Sequence, residues 1–158
     1  MRLIGLAVIL AVGLALAPLA AEAQTAANVY RVGYIGPTPV ANIVSDPTHP
    51  FNSGFLREMR QRGYVERRNF ALGYRSVAGS PERDSEVVGE LVRLEVDVIV
   101  AVPAPTVQAA QLATRKIHIV MFGVGDPVAT GFVASLARPG GNITGLSQLS
   151  VVLFSHMS

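Results

Sequence analysis

Residues 96–102, VDVIVAV, constrain this chain more than any other stretch. The run is short, apolar and mostly β-branched, with a single acid, Asp97, at its start. That pattern suits a strand buried on both faces, because a half-exposed strand would alternate. Such a strand needs helices on both sides, and segments of helical period do flank it. Residues 81–94 carry Val87, Val88, Leu91, Val92 and Leu94 as an apolar stripe. Ser80 is placed to cap that helix, with Pro81 in its first turn. Residues 105–113 form a second, small-residue helix.

The same alternation runs along the chain. Residues 29–35 predict a first strand, and residues 36–50, with four prolines, a loop. Residues 51–62 predict a helix with Phe55 and Met59 on one face, ended by Gly63. In residues 69–75, Phe70, Leu72 and Tyr74 alternate with Ala71 and Gly73, as in a strand. Residues 117–122 predict a fourth strand, 128–136 a short helix and 142–146 a fifth strand. Strand and helix in succession mean right-handed crossovers. The expected fold class is α/β, a parallel sheet with helices on both faces.

The amino end reads differently. Arg2 precedes an apolar run over residues 3–17, Pro18 breaks it, and Ala21-Glu22-Ala23 offers small residues for cleavage. Residues 1–23 are therefore expected to be a signal peptide. Counted to Ala21, the apolar stretch is roughly 19 residues, just enough to span a bilayer. Its Ala- and Gly-rich character and the absent basic far flank favour cleavage instead. Residues 24–28 form a flexible polar leader. The chain has no cysteine, which excludes a lipidated amino-terminal Cys, disulfides and a thiolate metal site. The expected location is periplasmic. The mature length of about 135 residues allows one ordinary core. Formal net charge is +2. Arg57, Arg60, Arg62, Arg67 and Arg68, interleaved with Glu58 and Glu66, read as a solvated helix face, so no nucleic-acid partner is expected.

In a parallel sheet, ligands bind beyond the carboxyl ends of the strands. Residues 36–50, 103–106 and 123–130 follow strands and enter helices, whose amino ends offer unpaired N–H groups to an anion. Thr106 could donate its hydroxyl to a carboxylate, or it could cap its helix. Asp126, just before Pro127, could pair with a ligand ammonium or hydroxyl, or cap the helix that follows. His49 could face a ligand on which Phe51 stacks, or both could be loop residues. Enzyme chemistry is not expected. His49, His118 and His156 lack metal-ligand spacing, so no metal or cofactor is predicted. No nucleophile elbow, dinucleotide fingerprint or phosphate loop occurs. Asp84 and Glu86 read as a solvated helix face.

Longer motifs carry a family likeness. They include Val32-Gly33-Tyr34-Ile35-Gly36, Glu66-Arg67-Arg68-Asn69, Asp97-Val98-Ile99-Val100 and Gly125-Asp126-Pro127-Val128. The most specific are Gly131-Phe132-Val133-Ala134-Ser135-Leu136 and Arg138-Pro139-Gly140-Gly141-Asn142-Ile143-Thr144-Gly145. Over residues 29–147 the chain resembles the substrate-binding proteins of ABC transporters, in the group that binds aromatic amino acids or related small carboxylates. The resemblance implies a type I periplasmic-binding-protein-like fold. Two α/β lobes close on a small-molecule solute, which passes to an ABC permease in the inner membrane without catalysis. It also implies solute contacts from Gly36, Thr38, His49, Ala104, Thr106, Asp126 and Pro127. Such proteins need about twice this mature length. Residues 148–158 show no family counterpart. The chain is thus read as a first lobe only, a truncated copy and a monomer. The alternative reading is a small exported interaction domain that binds a protein such as a sensor's extracellular part.

Overall fold

The computed structural model describes residues 29–78 and 80–148. The expected signal peptide, the leader and residues 149–158 lie outside the described residues. Five strands form one sheet: β1 (Tyr30–Gly36), β2 (Phe70–Ser76), β3 (Val98–Ala101), β4 (His118–Val124) and β5 (Ile143–Ser147). Their order is β2-β1-β3-β4-β5, and every pairing is parallel. The helices are α1 (Val40–Ser45), α2 (Arg57–Gln61), α3 (Pro81–Arg93) and α4 (Ala104–Ala113). A π-helical stretch, Phe51–Leu56, leads directly into α2. This is the α/β class expected, with helices on both faces.

The VDVIVAV run shows why. Ile99 and Ala101 are fully buried in the larger core, with Ile35, Val88, Leu91, Val107 and Ile119, under α3 and α4. Val98 and Val100 belong to a second cluster on the opposite face, where Phe55, Leu56 and Met59 pack. Both faces of β3 are thus covered by apolar side chains, and an alternating strand could not satisfy them.

Gly33 marks the tightest helix–sheet approach. A Cβ added there would run into the Leu91 side chain of α3, which is itself buried. We expect Gly33→Ala to cost about 1–3 kcal/mol through overpacking. Urea unfolding measures this, and a loss below about 0.5 kcal/mol would mean that Leu91 simply rotates away.

Several local expectations differ from what is found. Residues 36–50 contain α1, which buries only Ile43 and so carries no apolar stripe to read. The segment 128–136 is not helical; it is a series of turns. Gly131 sits at φ 74, which breaks helical continuity, and Pro127 O accepts the N–H groups of both Phe132 and Val133. Phe132 and Val133 are nonetheless buried in the larger core. Ser80 occupies the N-cap position of α3 without a capping bond. Its hydroxyl donates to Glu82 Oε2 instead, at 2.7 Å. Leu94 is half-exposed because the chain has already left α3 and reverses at Glu95, φ 50. Among the described residues, no helix is long and apolar enough to cross a membrane.

Candidate functional site

The sheet has a switch point. β1 lies between β2 and β3, so successive connections run outward from it in opposite directions. The loops after β1 and β3 diverge there and leave a crevice at the carboxyl ends of the strands. Gly36, Thr38 and His49 come from the first loop, Ala104 and Thr106 from the second. Asp126 and Pro127 follow β4, one strand further on.

Gly36, Thr38 and His49 line a common groove of about 630 Å³ between the sheet and the Phe51–Leu56 stretch. Its inner wall is aromatic. Tyr34 and Tyr74 are register partners on β1 and β2, with ring centroids 5.3 Å apart and nearly parallel planes. Phe51 stands edge-on to both, at 4.6 and 5.1 Å. The Tyr74 hydroxyl donates to Thr38 O at 2.9 Å, fixing the loop after β1. Gly36 makes room for that bond, since an added Cβ would fall 2.6 Å from Tyr74 Oη. His49 Nδ1 accepts the Phe51 N–H at 3.2 Å, which leaves Nε2 as the nitrogen available to a ligand. Reading the sequence placed Tyr34 and Tyr74 only as strand residues. Their meeting depends on which strands pair and in what register, which the local sequence does not carry.

Burial raises the Tyr34 hydroxyl above its ordinary pKa. Tyr74 is pushed up to about 12, chiefly by burial and then by the Tyr34 phenol. The unfolded chain releases such protons near pH 10. Between about pH 10 and about 12 the unfolded state therefore binds fewer protons than the folded one. Stability should fall as pH rises through this window. Urea titrations across it should show the fall, and Tyr74→Phe should flatten it. An equal slope in that variant would contradict the assignment.

Thr106 is fully buried. Its Oγ1 lies 2.5 Å from Asp84 Oδ1 and 3.2 Å from Val102 O. A hydroxyl has one proton to donate, and the carboxylate is the nearer acceptor. The bond ties the first turn of α4 to the first turn of α3. Asp84 is accordingly not on a solvated face. It is 5% exposed, because α4 packs over the start of α3.

Ala104, Thr106, Asp126 and Pro127 do not line the groove. Asp126 is exposed, and its Oδ1 accepts the N–H groups of Val128 and Ala129 at 3.0 and 2.9 Å. Its backbone carbonyl accepts from Thr130 Oγ1 at 2.9 Å. Asp126 thus organises the turn after β4, and Pro127 beneath it is buried. Among the described residues no cluster of His, Asp or Glu could hold a metal ion.

The family profile described as ABC transporter substrate binding protein matches residues 38–153. The chain belongs to this family. The match takes in residues 148–153, where the motifs alone showed no counterpart. Over 110 residues the chain is 31% identical to the "Tyrosine-binding protein" of Clostridioides difficile strain R20291. That alignment covers 69% of this chain and 32% of the relative, so the chain spans about a third of the relative's length. A conserved domain protein from Vibrio cholerae superposes with a TM-score of 0.66 at 30% identity. There, 77% of this chain and 39% of the other are covered. An ABC domain in complex with L-Trp from Streptococcus pneumonia superposes at 0.65, with 21% identity, covering 76% of this chain and 39% of that one. That last likeness is one of fold.

Proposed function

We propose that this chain forms one lobe of a periplasmic solute-binding component of an ABC importer. It takes a small amino acid or related carboxylate and serves delivery to a permease, with no chemical step. Family membership and the relative named for tyrosine support the solute class. The observation that carries the placement is the switch-point crevice, where Gly36, Thr38 and His49 meet an aromatic wall. In this reading the solute sits at the mouth of the groove. Gly36 and Ala104 let it approach the backbone, Thr38 and His49 Nε2 bond to it, and Asp126 with Pro127 bounds the far side. Thr106 acts one step removed, by holding the first turn of α4. Export by residues 1–23 brings the protein to the solute.

One lobe supplies half a cleft, so weak binding is expected, with a dissociation constant on the order of 1 mM. Amide NMR titration with tyrosine, tryptophan and small aromatic carboxylates tests this. Tyrosine should shift the resonances of Gly36, Thr38 and Ala104, and His49→Ala should weaken the response. If no amino acid or carboxylate moves these resonances, the reading is wrong.

A further inference from the structure

Because every strand pairing is parallel, the loops that enter the strands all lie at one pole of the lobe, opposite the crevice. Charge is divided between the two ends. The entry loops carry Arg67 and Arg68 before β2, Arg93 before β3, Arg115 and Lys116 before β4, and Arg138 before β5, all exposed. Among the described residues none of these cations forms an ion pair. The acids on the same loops are Glu66, Glu95 and Asp97. Asp97 is already engaged, its Oδ2 accepting the Arg31 N–H at 2.6 Å. The loops and first helical turns at the crevice end carry Asp46, Glu82, Asp84 and Asp126 against Arg83 alone. Arg93 closes the last turn of α3, where a cation is favourable in any protein. Arg67, Arg68 and Arg138 lie at no described helix end, so the helix dipole does not account for them. The pole is held as one surface. Asn142 Nδ2 donates to Thr114 O and Ile117 O at 3.2 and 2.8 Å, which joins the entries to β5 and β4. Arg31 Nη1 donates to Leu94 O at 3.0 Å, which joins β1 to the entry of β3. Tyr30 and Tyr64, both part-exposed, meet there edge-on with ring centroids 6.4 Å apart.

We propose that this basic pole rests on an anionic phospholipid bilayer. Three observations select a bilayer. The cations are spread along the ends of the sheet, about 20 Å across, so they match a plane of charge rather than a single phosphate. Tyrosine rings among arginines suit the headgroup region, where an apolar body and a polar tip are both satisfied. Tyr30 opens β1 at this pole, so the apolar run of residues 3–17 joins the domain on its basic side. The same surface repels the acidic crevice end, so the lobe stands one way up, with its crevice toward solution. None of the cations at the pole lines the groove, so this surface and solute binding stand or fall separately.

Vesicles of phosphatidylcholine with about one phosphatidylglycerol in four lipids test this at low salt. The chain from Gln24 onward holds every described element. It should partition onto these vesicles at least about tenfold more than onto pure phosphatidylcholine, and salt of about 1 M should abolish the difference. Arg68→Glu and Arg138→Glu should each weaken binding by about tenfold. Arg83→Glu, the same charge change at the crevice end, should leave it within about twofold. No preference for anionic vesicles, or an equal loss in Arg83→Glu, would overturn the proposal. The chain has no tryptophan, so an introduced one reports without background. The emission of Tyr64→Trp should shift to the blue on anionic vesicles. That of Val44→Trp, exposed on α1 at the crevice end, should not move. Equal shifts would contradict the orientation and with it the proposal. Capture by DNA or heparin without binding to vesicles would also overturn it, and would assign the pole to a soluble polyanion.

Discussion

Gly145→Ala should lose about 2–5 kcal/mol of stability, among the largest single-site losses expected in this sheet. Two costs add. Gly145 sits at φ 141, a conformation that a side chain strongly disfavours. Its added Cβ would also overlap the carbonyl oxygen of Met121, its register partner on β4, and lie 2.7 Å from the Met121 nitrogen. Those are backbone atoms of a strand buried in the core, so no rotamer change relieves the clash. The least costly escape is to move β5. That strand lies at the sheet edge, which allows it to detach locally before the whole domain unfolds. Detachment would expose Ile143, which is 3% exposed in the intact sheet. Urea unfolding should give the total loss. Hydrogen exchange should show the β4–β5 ladder losing protection while β1–β3 retains it. A loss below about 1 kcal/mol would show that β5 shifts freely past β4.

The pattern of strands and helices was legible because several residues bury together at one period. VDVIVAV is the clearest case, since both sides of β3 are buried and no position could be polar past Asp97. Where a segment buries one residue, as α1 does with Ile43, the period vanishes and only the prolines remain to be read. The segment 128–136 misleads for the opposite reason. Phe132 and Val133 are buried, but turns held by Asp126 and Pro127 place them, not a helix. Strand polarity alone picks out the loops after β1, β3 and β4, and the resemblance selected the same loops, but of the seven residues it implied only Gly36, Thr38 and His49 line the groove. The aromatic wall could not be read this way. Tyr34 and Tyr74 meet through strand register across a long sequence separation, and local periodicity carries no register.

Thr106→Val should cost about 2–4 kcal/mol, although valine matches threonine closely in shape. The loss comes from what remains behind. Asp84 Oδ1 would lose the hydroxyl donor of α4 at a site only 5% exposed, where water replaces it poorly. A donor in the first turn after a strand and an acid in the first turn of another helix each look like a capping residue. Their pairing, 22 residues apart, depends on how α3 and α4 pack. The decisive measurement is a double-mutant cycle. Asp84→Ala combined with Thr106→Val removes donor and acceptor together, so it should cost less than the sum of the single losses by about 1–3 kcal/mol. Additive losses would mean that the bond contributes little. Thr106→Ser keeps the hydroxyl and sacrifices one methyl, for about 1 kcal/mol. The same variants separate positioning from direct contact. If Thr106 only holds the turn, Thr106→Ser should leave the NMR response to tyrosine intact. The folded double variant should retain a weakened response. A response abolished in the double variant, at solute concentrations that saturate the parent chain, would return Thr106 to the solute's own contacts.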